Sequence, residues 1–304
     1  MRQRLSILIY HRVLDKHDFL RPSDPDIQRF DRQMKWVKNF FNVLDLADAV
    51  AMLAANNLPE RALCITFDDG YKDNYQNAFP VLKKHGLAAT FFIATGFLDN
   101  GIMWNDTVIE SLRNTGKEEL DLRDYGLSCF NINNSKPESL DKIINELKYL
   151  SFDERKKLVS ELPDLLSVSK PDGLMMTEKE VKELFQGGMG IGGHTVNHPI
   201  LNKINAQQAM QELKSGKQTL EKIINERITL FAYPNGKPEQ DYQREHVDMV
   251  RQAGFDAAVT TAWGVATKES DFYQLPRFTP WDKSITKYLL RLAKMRYSSM
   301  EARL

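Results

Sequence analysis

The chain has 304 residues and carries 41 Lys+Arg against 41 Asp+Glu, a balance that excludes the basic surplus with which nucleic-acid binders meet phosphates. Its 42% hydrophobic and 27% charged residues fit a globular protein with a full core, long enough for one large α/β domain or two small ones. Two cysteines, Cys64 and Cys129, make neither a disulfide framework nor a thiolate metal site, and no stretch approaches the roughly 18 apolar residues of a membrane span.

The N-terminus begins with positive charge and turns apolar over residues 5–10, but Tyr10-His11-Arg12 breaks the run at once. A signal peptide needs a longer apolar region and a small-residue cleavage site, so the segment reads as a first strand and the expected location is cytoplasmic. Residues 27–40 and 49–55 have helical periodicity. Residues 62–67 form an apolar strand running directly into Asp68-Asp69-Gly70. A helix at 75–85, closed by Gly86, leads to the next strand at 90–94 through a connection short enough for a βαβ unit. From about 101 to 183 strand signals are weak and charged helical segments such as 139–149 and 153–162 dominate. This stretch reads as a mostly helical insertion within one domain spanning 1–304.

Alternation resumes with a short strand at 190–193, a helix at 206–224 and a strand at 229–233. A helix at 242–253 stops at Gly254, strands follow at 257–260 and 273–278, and a basic helix closes the chain at 285–297. Repeated strand–helix units imply a parallel sheet with helices outside, and roughly seven or eight of them favour a barrel over an open sheet. The expected class is α/β, with chemistry collecting where strands end and loops begin.

Two motifs fall at such ends. In Thr66-Phe67-Asp68-Asp69-Gly70-Tyr71 two adjacent carboxylates follow an apolar strand, and like charges raise each other's cost of ionisation unless a cation is present. The plainer alternative is an Asp-Asp-Gly turn. In His194-Thr195-Val196-Asn197-His198 two imidazoles four residues apart are expected on one face of a helical turn, able to converge on one ion. The plainer alternative is a pair of surface or capping histidines. One Asp and two His together make a facial set of three ligands that leaves room for water and substrate, the pattern of a catalytic rather than a structural metal site.

With these motifs, and with Phe231-Ala232-Tyr233-Pro234-Asn235-Gly236 as a third, the sequence resembles the polysaccharide deacetylases that share the NodB homology domain (carbohydrate esterase family 4). The resemblance implies a distorted barrel of about seven strands, so the expected fold is a distorted (β/α)7-type barrel with a mostly helical insertion. It implies Asp68 as general base, Asp69, His194 and His198 as ligands of a divalent metal, commonly Zn2+, and the backbone N–H of Asn235 as an oxyanion donor. The substrate implied is an N-acetylated sugar in a glycan, with no nucleic-acid partner and no membrane span.

Two departures from the family pattern matter. Many members carry an Arg in the third motif that holds the catalytic Asp; here that position is Ala232, and Arg277 in Leu275-Pro276-Arg277-Phe278 is the expected replacement. Many members also supply a general acid from a late Leu-x-His, yet no His follows His246. Tyr10-His11 resembles the N-terminal Tyr-His of members acting on poly-N-acetylglucosamine, which makes His11 the expected acid. Tyr71 and Pro234, as motif members, and Tyr233 and Trp281, as aromatic faces suited to pyranose C–H surfaces, are the candidate sugar contacts, although core packing is the commoner use of such side chains. Two other classes stay open: a glycan-binding relative with a degraded site, and an amidohydrolase or deformylase acting on another C–N bond. The sequence carries no signal of oligomeric state, and it leaves a polymer, a lipid-linked precursor and a nucleotide-linked precursor equally open.

Overall fold

A computed structural model describes residues 3–132, 135–280, 282 and 284–297. In chain order, β1 (Ser6–Tyr10), α1 (Ile27–Phe40), β2 (Asn42–Val43), α2 (Leu46–Ala54), β3 (Ala62–Phe67), α3 (Phe79–His85) and β4 (Thr90–Ile93) come first. Next are α4 (Trp104–Asn114), β5 (Glu119–Asp121), β6 (Cys129–Asn131), α5 (Lys136–Lys148) and α6 (Phe152–Leu165). The chain then forms α7 (Glu178–Gln186), β7 (Gly190–Gly193), α8 (Ala206–Ile224), β8 (Leu230–Ala232), α9 (Arg244–Gln252), β9 (Ala257–Trp263), β10 (Leu275–Arg277) and α10 (Ile285–Tyr297). No helix among the described residues is long and apolar enough to cross a membrane.

Seven strands run in the order β1-β3-β4-β7-β8-β9-β10, with β2 beside the start of β3. All of these pairings are parallel. The row bends back on itself: Ile9 N donates to Phe278 O at 2.9 Å and Phe278 N to Ile7 O at 2.8 Å, joining the end of β10 to β1. The result is the expected distorted barrel of seven strands. β1 and β3 are buried along their whole length, as parallel strands covered on both faces must be.

Side chains alternate between two cores, as a period of two requires. Leu8, Tyr10, Leu63, Ile65 and Phe67 pack outward with Phe30, Leu82, Leu184, Leu213 and Val247 of the surrounding helices. Ile7, Ala62, Cys64, Phe92, Leu230, Val259 and Leu275 form the opposite cluster with α2. β7 can lie this close only because it is glycine-rich: a Cβ at Gly192 would sit 2.4 Å from the Phe92 ring.

The helices begin where side chains satisfy orphan N–H groups. Asp26 accepts from Arg29 N at the start of α1, where Phe30, Met34 and Val37 make the buried stripe. Asn205 and Gln208 form a capping box on α8, which ends at Asn225 in the left-handed conformation. α2 starts three residues before the sequence-based 49 because Asp45 accepts from Ala47 N and Asp48 N. The segment expected as one helix over 75–85 opens with a wider π-type turn, Asn74–Ala78, before α3, and Gly86 closes it at φ 66°.

The chain divides into two compact units. The barrel unit holds residues 1–17, 23–99 and 175–304, so α7, which the expected insertion limit of 183 bisects, belongs to it. Residues 18–22 and 100–174 form the other unit, three helices and the antiparallel hairpin β5–β6 around Val108, Leu112, Phe130, Ile143, Leu147 and Leu162. Strands of three residues are too short to show periodicity, which is why the strand signals there are weak and the segment reads as mostly helical.

Candidate active site

Asp68 leaves β3 with the parity of Ala62, Cys64 and Thr66 and so turns toward the barrel interior. Arg277, the last residue of β10, enters the same space and is fully buried. Its Nη1 and Nη2 donate to the two oxygens of Asp68 at 2.7 and 2.6 Å, a bidentate pair. Nη1 also donates to Thr66 Oγ1 at 3.1 Å, and Nε to Thr260 O at 2.8 Å, which fixes the guanidinium plane. Burial pushes the Asp68 carboxyl up, but the Arg277 charge and hydrogen bonds together with the nearby His194 and His11 outweigh it and hold its pKa below the usual carboxylate range.

Asp69 turns the other way, at φ 78°, toward the segment after β7. That segment is not the expected helical turn. Thr195 and His198 have φ of 67° and 50°, and the residue before Pro199 is disfavoured from continuing a right-handed helix. The chain reverses instead, and the reversal brings the imidazole centroids within 4.7 Å. His194 Nε2 and His198 Nε2 lie 3.3 and 3.4 Å from Asp69 Oδ1. Ligand atoms of the three residues all lie within 4.8 Å of one another.

These residues fit a metal ion. Asp69 Oδ1 is buried and, despite the two close nitrogens, has no hydrogen bond of proper geometry. His194 Nδ1 faces Ala232 O at 2.7 Å, so it carries the proton and leaves the Nε2 lone pair pointing at the carboxylate. Lone pairs on three atoms facing one point, two of the residues buried and His198 half-buried, repel unless a proton or a cation sits among them. Burial disfavours charge on both rings, yet the carboxylates lift His194 above its usual pKa, while His198 falls to about 4 and is neutral at physiological pH. Burial also opposes ionisation of Asp69, but His194, His198 and His11 together outweigh it and hold that carboxyl well below its ordinary range.

Comparison with known proteins shows the family to which the chain belongs. The family model for polysaccharide deacetylase matches residues 55–258. The chain belongs to that family. YxkH of Bacillus subtilis (strain 168), a protein named for the same family, is 26% identical over 276 residues, covering 90% of this chain and 70% of that protein. The poly-beta-1,6-N-acetyl-D-glucosamine N-deacetylase of Staphylococcus aureus (strain MSSA476) is 26% identical over 190 residues, 57% of this chain and 66% of its own length. The fold is similar to the Streptococcus pyogenes deacetylase PplD in complex with acetate, with TM-score 0.65 and 21% identity over 96% of this chain and 98% of that one.

Within this member of the family, Arg277 grips Asp68 from β10, while Ala232 occupies the third-motif position with no group that could do so. His11 follows β1 and is exposed, and its charge is felt by Asp68, Asp69 and His198, which places it beside the cluster. Asn235 is in the left-handed region at φ 58°. Its carbonyl accepts from Thr261 Oγ1 at 2.7 Å, and its N–H has no acceptor among the described residues.

The expected sugar contacts fare differently. Tyr71 and Tyr233 are buried and serve the core. Arg12 lies over the Tyr71 ring at 4.5 Å; Tyr233 stacks on Tyr242 at 3.9 Å and donates to Tyr273 O at 3.0 Å. Pro234 is buried too, and Trp281 lies outside the described residues. Sequence reading missed Thr66, Thr260 and the Ala232 carbonyl. Strand parity with Asp68 could have found Thr66, but main-chain acceptors leave no mark in the sequence.

Proposed function

We propose that this chain is a divalent-metal-dependent hydrolase that removes the N-acetyl group from an N-acetylated sugar in a poly- or oligosaccharide or a glycan precursor. The observation that carries this reading is the convergence of Asp69, His194 and His198 beside a carboxylate already neutralised by Arg277. The name of the Staphylococcus aureus relative supports the N-acetylglucosamine class. Two imidazoles and a carboxylate suit Zn2+, the ion proposed.

Asp69, His194 and His198 would hold the ion, which when bound would supply Lewis acidity toward a water and the acyl carbonyl. Asp68 is kept ionised by Arg277 and is ready to accept a proton. Both of its oxygens already receive guanidinium N–H groups, but each retains a second lone pair for a water. A carboxylate with a lowered pKa is a weak base, so it serves only where the water is itself acidified. Asn235 N–H offers a backbone donor to the carbonyl oxygen as negative charge gathers on it. His11, at the open end of β1, delivers the proton that the departing amine requires.

The test is acetate release from N-acetylglucosamine oligomers by purified protein, before and after chelation and after restoration with Zn2+. Release that disappears with chelator and returns with the ion is expected. Release indifferent to chelator, or none with any divalent ion, would overturn the reading.

A further inference from the structure

The two imidazoles of the cluster are held by different means. His194 is oriented through its ring, by the bond from Nδ1 to Ala232 O at 2.7 Å. His198 Nδ1 is buried without a hydrogen-bond partner among the described residues, so the direction of its ring is set by its backbone. That backbone is left-handed at His198 and at Thr195, conformations that persist only where the surroundings over-determine them. Inside the segment, His198 N donates to Thr195 Oγ1 at 3.1 Å. The rest of the restraint comes from outside.

Most of it lies on one face of α8. Glu212 Oε2 accepts from Val196 N and Asn197 N, both at 2.8 Å, and Oε1 from Asn197 Nδ2 at 2.7 Å. One turn further on, Gly216 lies against Thr195: a Cβ there would sit 2.9 Å from Thr195 O and 3.0 Å from Thr195 C, closer than packing permits. Residues four apart share a helix face, so α8 presents an acceptor and a clearance to the same loop. From the other side Thr95 N and Gly96 N donate to Thr195 O at 3.2 Å and Val196 O at 2.8 Å. Attachment of α8 to the barrel does not need Glu212, since Ala209, Leu213, Leu220 and Ile224 provide the apolar seam.

We infer that Glu212, with the clearance at Gly216, is the positioning element that fixes the 194–198 loop so that His198 Nε2 faces Asp69 Oδ1. Glu212 touches neither ion nor substrate; it acts through the main chain between the two imidazoles. This rests on the ligand set proposed above, and outer groups that orient a ligand typically govern metal affinity by about 10–100-fold.

The experiment is calorimetric titration of metal-stripped protein with Zn2+, alongside the melting midpoint of the metal-free protein. The variants are Glu212→Ala, Glu212→Gln, Gly216→Ala and His198→Ala. Glu212→Ala should weaken Zn2+ by about 10–100-fold with a melting midpoint near that of wild type, while Gly216→Ala should weaken Zn2+ as well and, because its Cβ crowds the Thr195 backbone, also lower the midpoint. Glu212→Gln keeps a carbonyl for the two backbone N–H groups and should recover most of the affinity. His198→Ala should lose more than any of them. Wild-type affinity in Glu212→Ala, or a loss matched by an equivalent fall in the metal-free midpoint, would overturn the inference while His198→Ala left the ligand set standing. Wild-type protein binding Zn2+ no better than His198→Ala would overturn the ligand set, and this inference with it.

Discussion

The barrel unit and the inserted unit both bury charge, and they balance it differently. In the inserted unit the buried carboxylate Asp106 has Arg21 as its partner, and Asp18 meets Arg113 at 2.9 and 2.5 Å. Each acid there has a base, and the pairs tie residues 18–22 to α4. At the mouth of the barrel Asp68 is matched by Arg277, but Asp69 is left over, facing two imidazoles rather than a guanidinium. A buried balance holds structure together; a buried surplus of negative charge calls for a cation. Asp69, Thr195, His198 and Asn235 all have positive φ, as do Asn56, Arg61, Asp99, Asn225 and Glu239 elsewhere in the barrel unit. In the inserted unit the comparable positions are glycines at turns, Gly126 and Gly173, together with Ser167 and Asn100.

Substitutions can break or sharpen this contrast. Asp68→Asn should cost about 10²–10⁴-fold in kcat, the usual worth of a positioned base, while Zn2+ stays bound; retained turnover in a steady-state acetate assay would erase the distinction between the two aspartates. Arg277→Ala strands Asp68 in the interior and should destabilise the fold by about 3–5 kcal/mol in chemical denaturation. Arg277→Lys keeps the charge but not the fork, so a smaller loss of stability and a clear loss of kcat are expected. His11→Ala should lower kcat by about 10²-fold with little change in KM or in melting midpoint, because the ring is exposed.

The smallest effect belongs to the inserted unit. Asp18→Asn should cost under about 1 kcal/mol and leave Zn2+ affinity untouched. Burial raises the Asp18 carboxyl, but Arg113, the Leu20 N–H and Arg21 together outweigh it and hold it below its usual pKa. Its stabilisation is therefore present above the unfolded pKa of about 4 and fades as pH falls through the lower folded value. Wild type should lose part of its margin over Asp18→Asn only in that acidic window, measured by urea unfolding at stepped pH. A margin that grew on acidification would reverse the sign.

Much of this was legible because it is periodic or capped. α1, β3, β7, α8 and α10 have the limits that apolar spacing and cap residues give, and strand parity puts Thr66, Asp68 and Arg277 on one side. The reversal at 194–198 was not legible. Periodicity offers only 3.6 or 2, and a four-residue spacing of histidines looks helical until Pro199 and two left-handed residues are seen. Arg277 came to notice through the family pattern and the gap at Ala232, while the bidentate geometry needed coordinates. Tyr233 shows the converse failure: an aromatic in a motif reads as a ligand platform, yet its ring and hydroxyl are both spent inside the protein.

The central claim is that Asp69, His194 and His198 share one divalent cation while Asp68 stands apart, paired with Arg277. Anomalous scattering at the zinc edge from crystals grown with Zn2+ tests it directly. One peak is predicted at about 2.0–2.2 Å from Asp69 Oδ1, His194 Nε2 and His198 Nε2, with the Asp68–Arg277 pair intact. No peak at those atoms, or a peak with Asp68 as a ligand, would contradict it.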